Sequence, residues 1–489
     1  MGSFFSDLVQ YRKLFLMIFV LGIGGAFSYG FQVSMISYPS MYIKNFINDT
    51  WQERYHSDID EQTLTLLWSF IVSTFSIGGF LGAISSRYLS AKYGKSVSTA
   101  AFFWGFSKMA KSFEMILIGR FLCGFNSGLG CCLHGQYLGE ISPKKLRGFT
   151  SATLSLFANM GKCLGQIAGL SELLGTESLW PLLMAISGIA ASVQLVTLPF
   201  FPESPPYLLV QKGDMEGCQE ALKQLWGEGN HQEAIDDMVK EQATTKKMKP
   251  MNVLELLKDR SLRCQLCLLI VIGVTVQLSG INAIYFYAFD VFRTAGFTQD
   301  RIPYISLGAG TCEFCAAIIC SFIIDKFGRR MLLLWGYGLM ALILMLLTTT
   351  LSLQHQFFWM PYCSLALIFL FIIIFATGPG GASFPVMIEL FTQSSRSSAL
   401  AISMSLHWVG LYMIGMIFPY VVKSLGTFCF LIFMGFISIS WILIYRFLPE
   451  TKGKSVMAIK EEFKHLNFRK KFQAMRENPS DKYTSCTKL

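Results

Sequence analysis

Charged residues are scarce in this chain of 489 residues. Asp, Glu, Lys and Arg together make up 15% of it, whereas ordinary globular domains carry about 25%. Hydrophobic residues make up 53%, and the mean hydropathy is +0.47. Because so few charges cannot cover the surface of a soluble domain of this size, the composition excludes that class and indicates a membrane protein.

Signatures of catalysis and of metal binding are also missing. Most of the thirteen Cys residues lie inside apolar runs, at spacings that match neither a metal site nor a disulfide framework, and we expect them to be small packing residues. The polar stretches contain no Walker motif, and no nucleophile–base constellation is visible. We therefore predict no enzyme, no metal, no cofactor, no use of ATP and no nucleic-acid partner.

Long apolar runs recur along nearly the whole chain. A helix that crosses a membrane needs about 20 mainly apolar residues, and only helices satisfy their backbone in lipid over runs this uniform. The sequence therefore predicts an all-α membrane protein with about twelve transmembrane helices. The windows are 14–36, 65–86, 97–112, 114–136, 149–170, 179–201, 264–289, 303–324, 331–352, 359–388, 397–421 and 426–448.

Short charged signatures occur twice, once in each half of the chain. Glu140 and Arg147 are seven residues apart, as are Glu389 and Arg396. The triplet 202–204, Pro-Glu-Ser, has a counterpart in Pro-Glu-Thr at 449–451. An apolar membrane chain made of two similar halves is typical of a secondary transporter with its site between the halves.

Charge asymmetry predicts the orientation in the membrane. The stretch 37–64 is acidic, whereas the segment 446–489 and several short connections are basic. The positive-inside rule then places both termini in the cytoplasm and 37–64 outside. Asn48 in the sequon Asn-Asp-Thr becomes a predicted glycosylation site. The stretch 202–262 is the only long polar segment between spans, and we predict that it forms amphipathic cytoplasmic helices.

Four motifs resemble those of the sugar porters of the major facilitator superfamily, and specifically the facilitative glucose transporters of solute carrier family two. They are Pro202–Pro205, Gln277–Asn282, Asp325–Arg330 and Pro449–Lys454, while Leu66–Ser69 and Trp359–Tyr362 resemble the class II branch. The similarity covers essentially the whole chain.

The resemblance implies two pseudo-symmetric six-helix bundles. Their expected bounds are 1–201 and 263–448, with a linker at 202–262 and a cytoplasmic tail at 449–489. It also implies a plasma-membrane facilitator, which we expect to be monomeric, that carries hexose (fructose, glucose or both) down its gradient by alternating access.

Charged residues at the cytoplasmic helix ends are predicted to form salt bridges that lock one conformation closed, because breaking and remaking such pairs lets two bundles alternate. They could instead be topology markers only. The orientation rule counts Lys and Arg but not Glu, so the repeated carboxylates favour the lock. The predicted members are Glu140, Arg147, Glu203, Asp325, Arg329, Arg330, Glu389, Arg396 and Glu450.

Three neutral amides, Gln166, Gln277 and Asn282, lie inside apolar spans. Intramembrane polar groups cost free energy unless they find partners, and an amide offers the donors and acceptors that a polyhydroxyl ligand needs. Hydrogen bonding between helices would explain them as well. By resemblance these positions match sugar contacts. The predicted sugar site comprises Gln166, Gln277, Asn282, Tyr285, Phe384, His407 and Trp408.

Several positions depart from the family pattern. Val276 replaces a second glutamine, Phe375 a class II histidine and Leu411 an asparagine, while Arg87 and Ala91 alter the first-half cytoplasmic motif. These departures leave two alternatives open. One is a carrier of organic anions such as urate that uses Lys162, and the other, suggested by the altered first-half motif, is a sugar sensor that binds but does not cycle.

Two charges lie deep within predicted spans. Lys162 is one helical turn before Gln166, so both face the same side, and Glu313 lies in the middle of the eighth span. Buried membrane charges usually face a partner or a watery cavity, although snorkelling from a helix end is an alternative. The resemblance makes the fifth and eighth spans neighbours. We therefore expect either a Lys162–Glu313 pair or an anion bound by Lys162.

Overall fold

The computed structural model describes residues 10–89, 112–143, 146–186, 200–229, 251–354 and 356–452, with isolated positions among 197–239 and 454–463. All regular secondary structure in these residues is helical, as the long apolar runs predict. Eight stretches of the described residues are long and apolar enough to cross a membrane. The window 97–112 except its last residue, and most of 179–201, lie outside the described residues.

The described residues of the N-terminal half form five helices and a short helical stretch at 180–186. The acidic stretch that was predicted as an outside loop is mostly helix α2. Helix α1 contains a π-helical turn at Ile23–Phe27. The bounds of the five helices are α1 Arg12–Met35, α2 Ser40–Tyr55, α3 Glu61–Leu89, α4 Glu114–Ile141 and α5 Arg147–Ala168.

The polar linker contains helices α6, Met215–Trp226, and α7, Val253–Lys258. The Asp214 side chain accepts a hydrogen bond from the backbone N–H of Gly217 at 2.8 Å and so caps the start of α6. At the other end of α6, Trp226 Nε1 donates to the carbonyl oxygen of Ile141 at 2.8 Å. The linker helix is therefore fixed to the C-terminal end of α4.

The C-terminal helices follow in chain order and pack against one another. They are α8 Arg263–Gln277, α9 Ile281–Phe286, α10 Ala288–Thr294, α11 Ile302–Phe327, α12 Arg329–Ser352, α13 Met360–Thr377, α14 Pro379–Glu389, α15 Gln393–Leu425 and α16 Cys429–Phe447.

Two of the predicted single spans are broken. The window 264–289 divides into α8 and α9 at Gly280, whose φ of +93° lies in the left-handed region that glycine adopts without strain. The window 359–388 divides into α13 and α14 at Gly378, immediately before Pro379. Interrupted transmembrane helices of this kind commonly form the ligand sites of transporters.

The N-terminal and C-terminal helices meet along two seams. Helix α3 packs against α15, and α5 packs against α11. At the first seam Gly79 of α3 lies against the Trp408 ring, and a Cβ at this position would collide with the ring. The two seams place α3, α5, α11 and α15 around the centre of the molecule, where the predicted polar residues lie.

Candidate functional site

The break between α8 and α9 brings two of the predicted amides together. Gln277 is the last residue of α8, and Asn282 is the second residue of α9. Asn282 Nδ2 donates to Gln277 Oε1 at 2.8 Å, and Gln277 Nε2 lies 2.8 Å from Nδ1 of His407 on α15. An amide nitrogen only donates, so His407 Nδ1 accepts and the neutral ring carries its proton on Nε2.

Aromatic rings surround this amide chain. Trp408 is 1% exposed, and its ring centroid lies 5.6 Å from that of Tyr29 and 5.7 Å from that of Phe75. The Tyr29 centroid is also 5.5 Å from that of His407. The indole Nε1 of Trp408 has no hydrogen-bond partner among the described residues. It is thus a buried donor that a ligand oxygen could satisfy.

Gln166 joins the seam between α5 and α11. Its Nε2 donates to Ser306 Oγ at 3.3 Å, whereas its Oε1 has no partner in the part of the chain that the structure describes. Gln166 therefore retains a buried acceptor, while Trp408 retains a buried donor. A ligand with hydroxyl groups can serve both, because each hydroxyl donates and accepts.

The two predicted membrane charges are in contact. Lys162 Nζ lies 2.8 Å from Glu313 Oε1, with side-chain exposures of 8% and 2%. The Tyr285 hydroxyl donates to Glu313 Oε2, and Lys162 Nζ lies 4.5 Å from the Tyr285 ring centroid. Ser34 Oγ donates to the Lys162 carbonyl oxygen at 2.8 Å. The ammonium thus points across the seam to a carboxylate and does not reach towards a helix end.

Phe384, the remaining predicted aromatic, is half-buried on α14. Its Cζ lies 3.9 Å from where a Cβ of Gly135 on α4 would stand. The structure thus places Phe384 where α14 faces α4, and places Tyr285, His407 and Trp408 around the amides and the ion pair.

Arg120 is a buried charge that the sequence analysis missed. It is fully buried and donates from Nε to the carbonyl oxygen of Ile71 at 3.2 Å, from Nη2 to that of Val72 at 3.1 Å, and from Nη1 to the Gln32 carbonyl and Oε1 at 3.1 Å each. Its guanidinium also lies 4.7 Å from the Phe75 ring centroid. Arg120 therefore joins α1, α3 and α4 next to the Phe75 ring. Its signal was the same as for Lys162, a charge within an apolar window.

Two members of the predicted lock, Arg329 and Glu389, form a salt bridge at the end of the molecule that carries the linker. Arg329 Nε lies 3.3 Å from Glu389 Oε1, and burial raises the pKa of the Glu389 carboxyl although Thr451 and Arg329 oppose the shift. Glu450 Oε1 accepts the backbone N–H groups of Arg329, Thr451 and Lys452 at 3.0 to 3.1 Å. The first turn of α12 is thereby tied to the segment after α16.

The other described members of the predicted lock also make local contacts. Glu203 pairs with Lys212 at 2.6 Å, Arg330 Nη2 donates to the Tyr445 carbonyl oxygen at 2.9 Å, and Arg396 Nη2 lies 3.5 Å from the Phe391 carbonyl oxygen. The side chains of Glu140, Arg147 and Asp325 lie outside the described residues. A lock between the two sets of helices therefore stays a prediction.

The opposite end of the molecule, which carries α2, is bridged between the two sets of helices. Tyr38 OH donates to the Pro303 carbonyl oxygen at 3.0 Å, and Lys423 Nζ lies 3.3 Å from Glu61 Oε1. Helix α9 packs against α1 at the same end. The N-terminal and C-terminal helices are thus in contact at the α2 end of the molecule.

The predicted glycosylation residue Asn48 is half-buried on α2. The hydroxyl of Thr50, the third residue of the sequon, donates to the Phe46 carbonyl oxygen at 2.7 Å. The sequon is therefore helical in the folded protein.

Comparison with known proteins decides the family. The family model described as "Sugar (and other) transporter" matches residues 17–463. A human protein, solute carrier family 2, facilitated glucose transporter member 11, is 38% identical over 475 residues, which are 95% of this chain and 96% of that protein. The chain belongs to this family. It is a multi-pass membrane transporter and not an enzyme, and the sequence-based assignment to solute carrier family two is confirmed.

Other relatives are members of the same family. Mouse member 9 is 39% identical over 91% of this chain and 84% of its own, and mouse member 5 is 37% identical over 92% of each. The proton:xylose symporter XylE bound to 6-bromo-6-deoxy-D-glucose superposes with a TM-score of 0.74 at 21% identity, covering 93% of this chain and 100% of that one. The inward-open state of XylE from E. coli superposes with a TM-score of 0.70 at 20% identity, covering 93% and 99%. The predicted major facilitator fold is thereby confirmed.

Proposed function

We propose that this transporter carries hexose down its gradient by alternating access, with the ligand held at the amide and aromatic cluster. The observation that carries the proposal is the hydrogen-bonded chain of Asn282, Gln277 and His407. These groups are uncharged, and they mix donors and acceptors. Such a site suits a neutral ligand with many hydroxyl groups better than a charged one.

Two buried groups, one on each of the two helix seams, have unused hydrogen-bonding capacity. Trp408 Nε1 is a donor and Gln166 Oε1 is an acceptor, and neither has a partner among the described residues. A buried polar group without a partner costs about 1–3 kcal/mol. A hexose that reached both would recover that free energy on binding, while its apolar ring face would pack on Trp408.

The proposed transport cycle uses the two sets of helices as rocking bundles. We assign them to residues 1–201 and 263–448, joined by the linker at 202–262 and followed by a cytoplasmic tail at 449–489. With the termini in the cytoplasm of a plasma-membrane protein, the α2 end is extracellular. The contacts Tyr38–Pro303 and Lys423–Glu61 then support a state that is closed to the outside.

An organic anion is the weaker candidate because the cation proposed to bind it already has a partner. Lys162 is 2.8 Å from Glu313, so its positive charge is already balanced by a carboxylate. An anion would have to displace a buried carboxylate, which would then be left uncompensated. The relatives are named facilitated glucose transporters, which supports hexose, with glucose and fructose the first sugars to test.

Uptake into proteoliposomes that contain the purified transporter tests this function. We expect entry of labelled fructose or glucose that excess unlabelled hexose inhibits and urate does not. Gln277→Ala should raise the apparent KM, while Gln265→Ala, which alters a buried amide three turns earlier on the same helix, should leave KM unchanged. Urate uptake without hexose uptake, or equal effects of the two substitutions, would contradict the proposal.

A further inference from the structure

Helix α9 is short and bounded by two breaks. It comprises six residues, Ile281–Phe286, all of them buried. Gly280 before it has a φ of +93°, and Tyr287 after it has φ −124° and ψ 33°, so the backbone leaves helical geometry at both ends. Single backbone hydrogen bonds, from Ile284 N–H to the Gly280 carbonyl oxygen and from Tyr287 N–H to that of Ala283, remain at these boundaries. Six residues cannot form a stable helix by themselves. The position of α9 therefore depends on its side-chain contacts.

Tyr285 makes the polar contact of α9 with the charge pair. Its hydroxyl donates to Glu313 Oε2 on α11, while the other carboxylate oxygen, Oε1, accepts from Lys162 on α5 at 2.8 Å. The Lys162 ammonium also lies against the Tyr285 ring. The three side chains thus connect α9, the C-terminal helix α11 and the N-terminal helix α5 in one buried contact.

Asn282 lies three residues before Tyr285, one turn along the same short helix. A shift of α9 would therefore move Asn282 away from Gln277, to which it donates at 2.8 Å. The charge pair and the amide cluster are separate in sequence and share no direct hydrogen bond among those described, but both hold α9. The contact of Lys162, Glu313 and Tyr285 joins the two sets of helices. Through α9 it is therefore coupled to the position of the Asn282 amide.

We propose that Lys162 and Glu313 are positioning residues that hold α9, and with it Asn282, over the ligand site. Lys162 compensates the Glu313 carboxylate and fixes its orientation, so that Oε2 faces the Tyr285 hydroxyl. This inference rests on the proposed function for the role of Asn282. Loss of either charge leaves the other buried without its counter-charge, which disfavours the arrangement and releases α9.

Tyr285→Phe tests the contact with the smallest change, because it removes only the hydroxyl. Hydrogen–deuterium exchange of the transporter in lipid nanodiscs reports on α9 without any substrate. We expect exchange in residues 281–286 to rise roughly ten- to hundredfold, as the loss of one hydrogen bond to a charged carboxylate allows, while exchange in α12 stays unchanged. Tyr337→Phe, which alters a buried tyrosine on α12, is the matched control and should leave α9 unchanged.

The charge pair is tested by comparing single and double variants. Lys162→Met and Glu313→Gln should each increase exchange in α9. The double variant K162M/E313Q keeps a neutral acceptor for the Tyr285 hydroxyl and leaves no unpaired charge, so its α9 should be protected again. In uptake assays Tyr285→Phe should raise KM more than it lowers kcat, because the ligand-facing Asn282 is displaced.

Unchanged exchange in 281–286 for Tyr285→Phe, or a double variant that exchanges as fast as the single ones, would overturn the inference. The exchange readout needs no transport. If α9 responds as expected but no variant or wild-type protein takes up hexose, the proposed function fails while the positioning role stands.

Discussion

Replacing Lys162 and Glu313 singly and together gives a sharp stability test. Both side chains are almost fully buried, with exposures of 8% and 2%. Removing one partner of such a pair costs about 3–5 kcal/mol, because the surviving charge has neither water nor a counter-ion. Replacing both with neutral groups of similar volume is often nearly neutral. Lys162→Met and Glu313→Gln should therefore each destabilise the transporter strongly, and the double variant should recover most of the loss.

The measurement is reversible unfolding of the purified transporter in mixed micelles, from which the double-mutant cycle gives a coupling free energy. The chain supplies a matched control in Lys423 and Glu61. This ion pair also joins N-terminal and C-terminal helices, at 3.3 Å, but its side chains are 61% and 80% exposed. Exposed pairs contribute little, so Lys423→Met and Glu61→Gln should barely change stability. Strictly additive losses for Lys162 and Glu313 would refute the reasoning.

Three further predictions concern the ligand site and the linker end. Gln166→Ala and Asn282→Ala should each raise the apparent KM for hexose a few- to tenfold, the effect of losing a hydrogen bond worth about 0.5–1.5 kcal/mol; normal KM in both at normal surface expression would remove them from the site. Burial raises the pKa of Glu389, so the native state loses stability as the pH rises from the ordinary carboxyl pKa through the raised one. The melting temperature of E389Q relative to wild type should therefore increase with pH across that window, and a constant difference would contradict this. Arg147→Ala and Arg396→Ala should shift the transporter towards the inward-facing state, which cysteine accessibility from the two sides can measure; unchanged accessibility would leave both as topology markers.

The sequence predicted the fold class because a membrane leaves few alternatives. Long apolar runs can only be helices in lipid, and the repeated charged signatures indicated two halves. The helix breaks could not be predicted from the sequence. The window 264–289 is apolar on both sides of Gly280, and hydropathy does not distinguish a continuous helix from α8 followed by α9. The break is nevertheless what brings Gln277 and Asn282 within hydrogen-bonding distance.

Polar residues of the site were predictable, and aromatic ones were only partly so. An amide or a charge such as Lys162 stands out in an apolar window because burying it costs free energy. Arg120 carried the same signal and was missed. Tyr29 and Phe75 carry none, because an aromatic ring that lines a cavity and one that faces lipid look alike in sequence. Their place beside Trp408 follows from how α1 and α3 pack.

Counterflow in proteoliposomes tests the central claim most directly. Vesicles that contain the purified transporter are preloaded with unlabelled fructose or glucose and diluted into a trace of the labelled sugar. A facilitator that alternates access predicts transient accumulation of label above the level reached in vesicles without preloaded sugar, with no ATP added. Label that binds to the protein but never accumulates would identify a sensor that does not cycle, and would contradict the account.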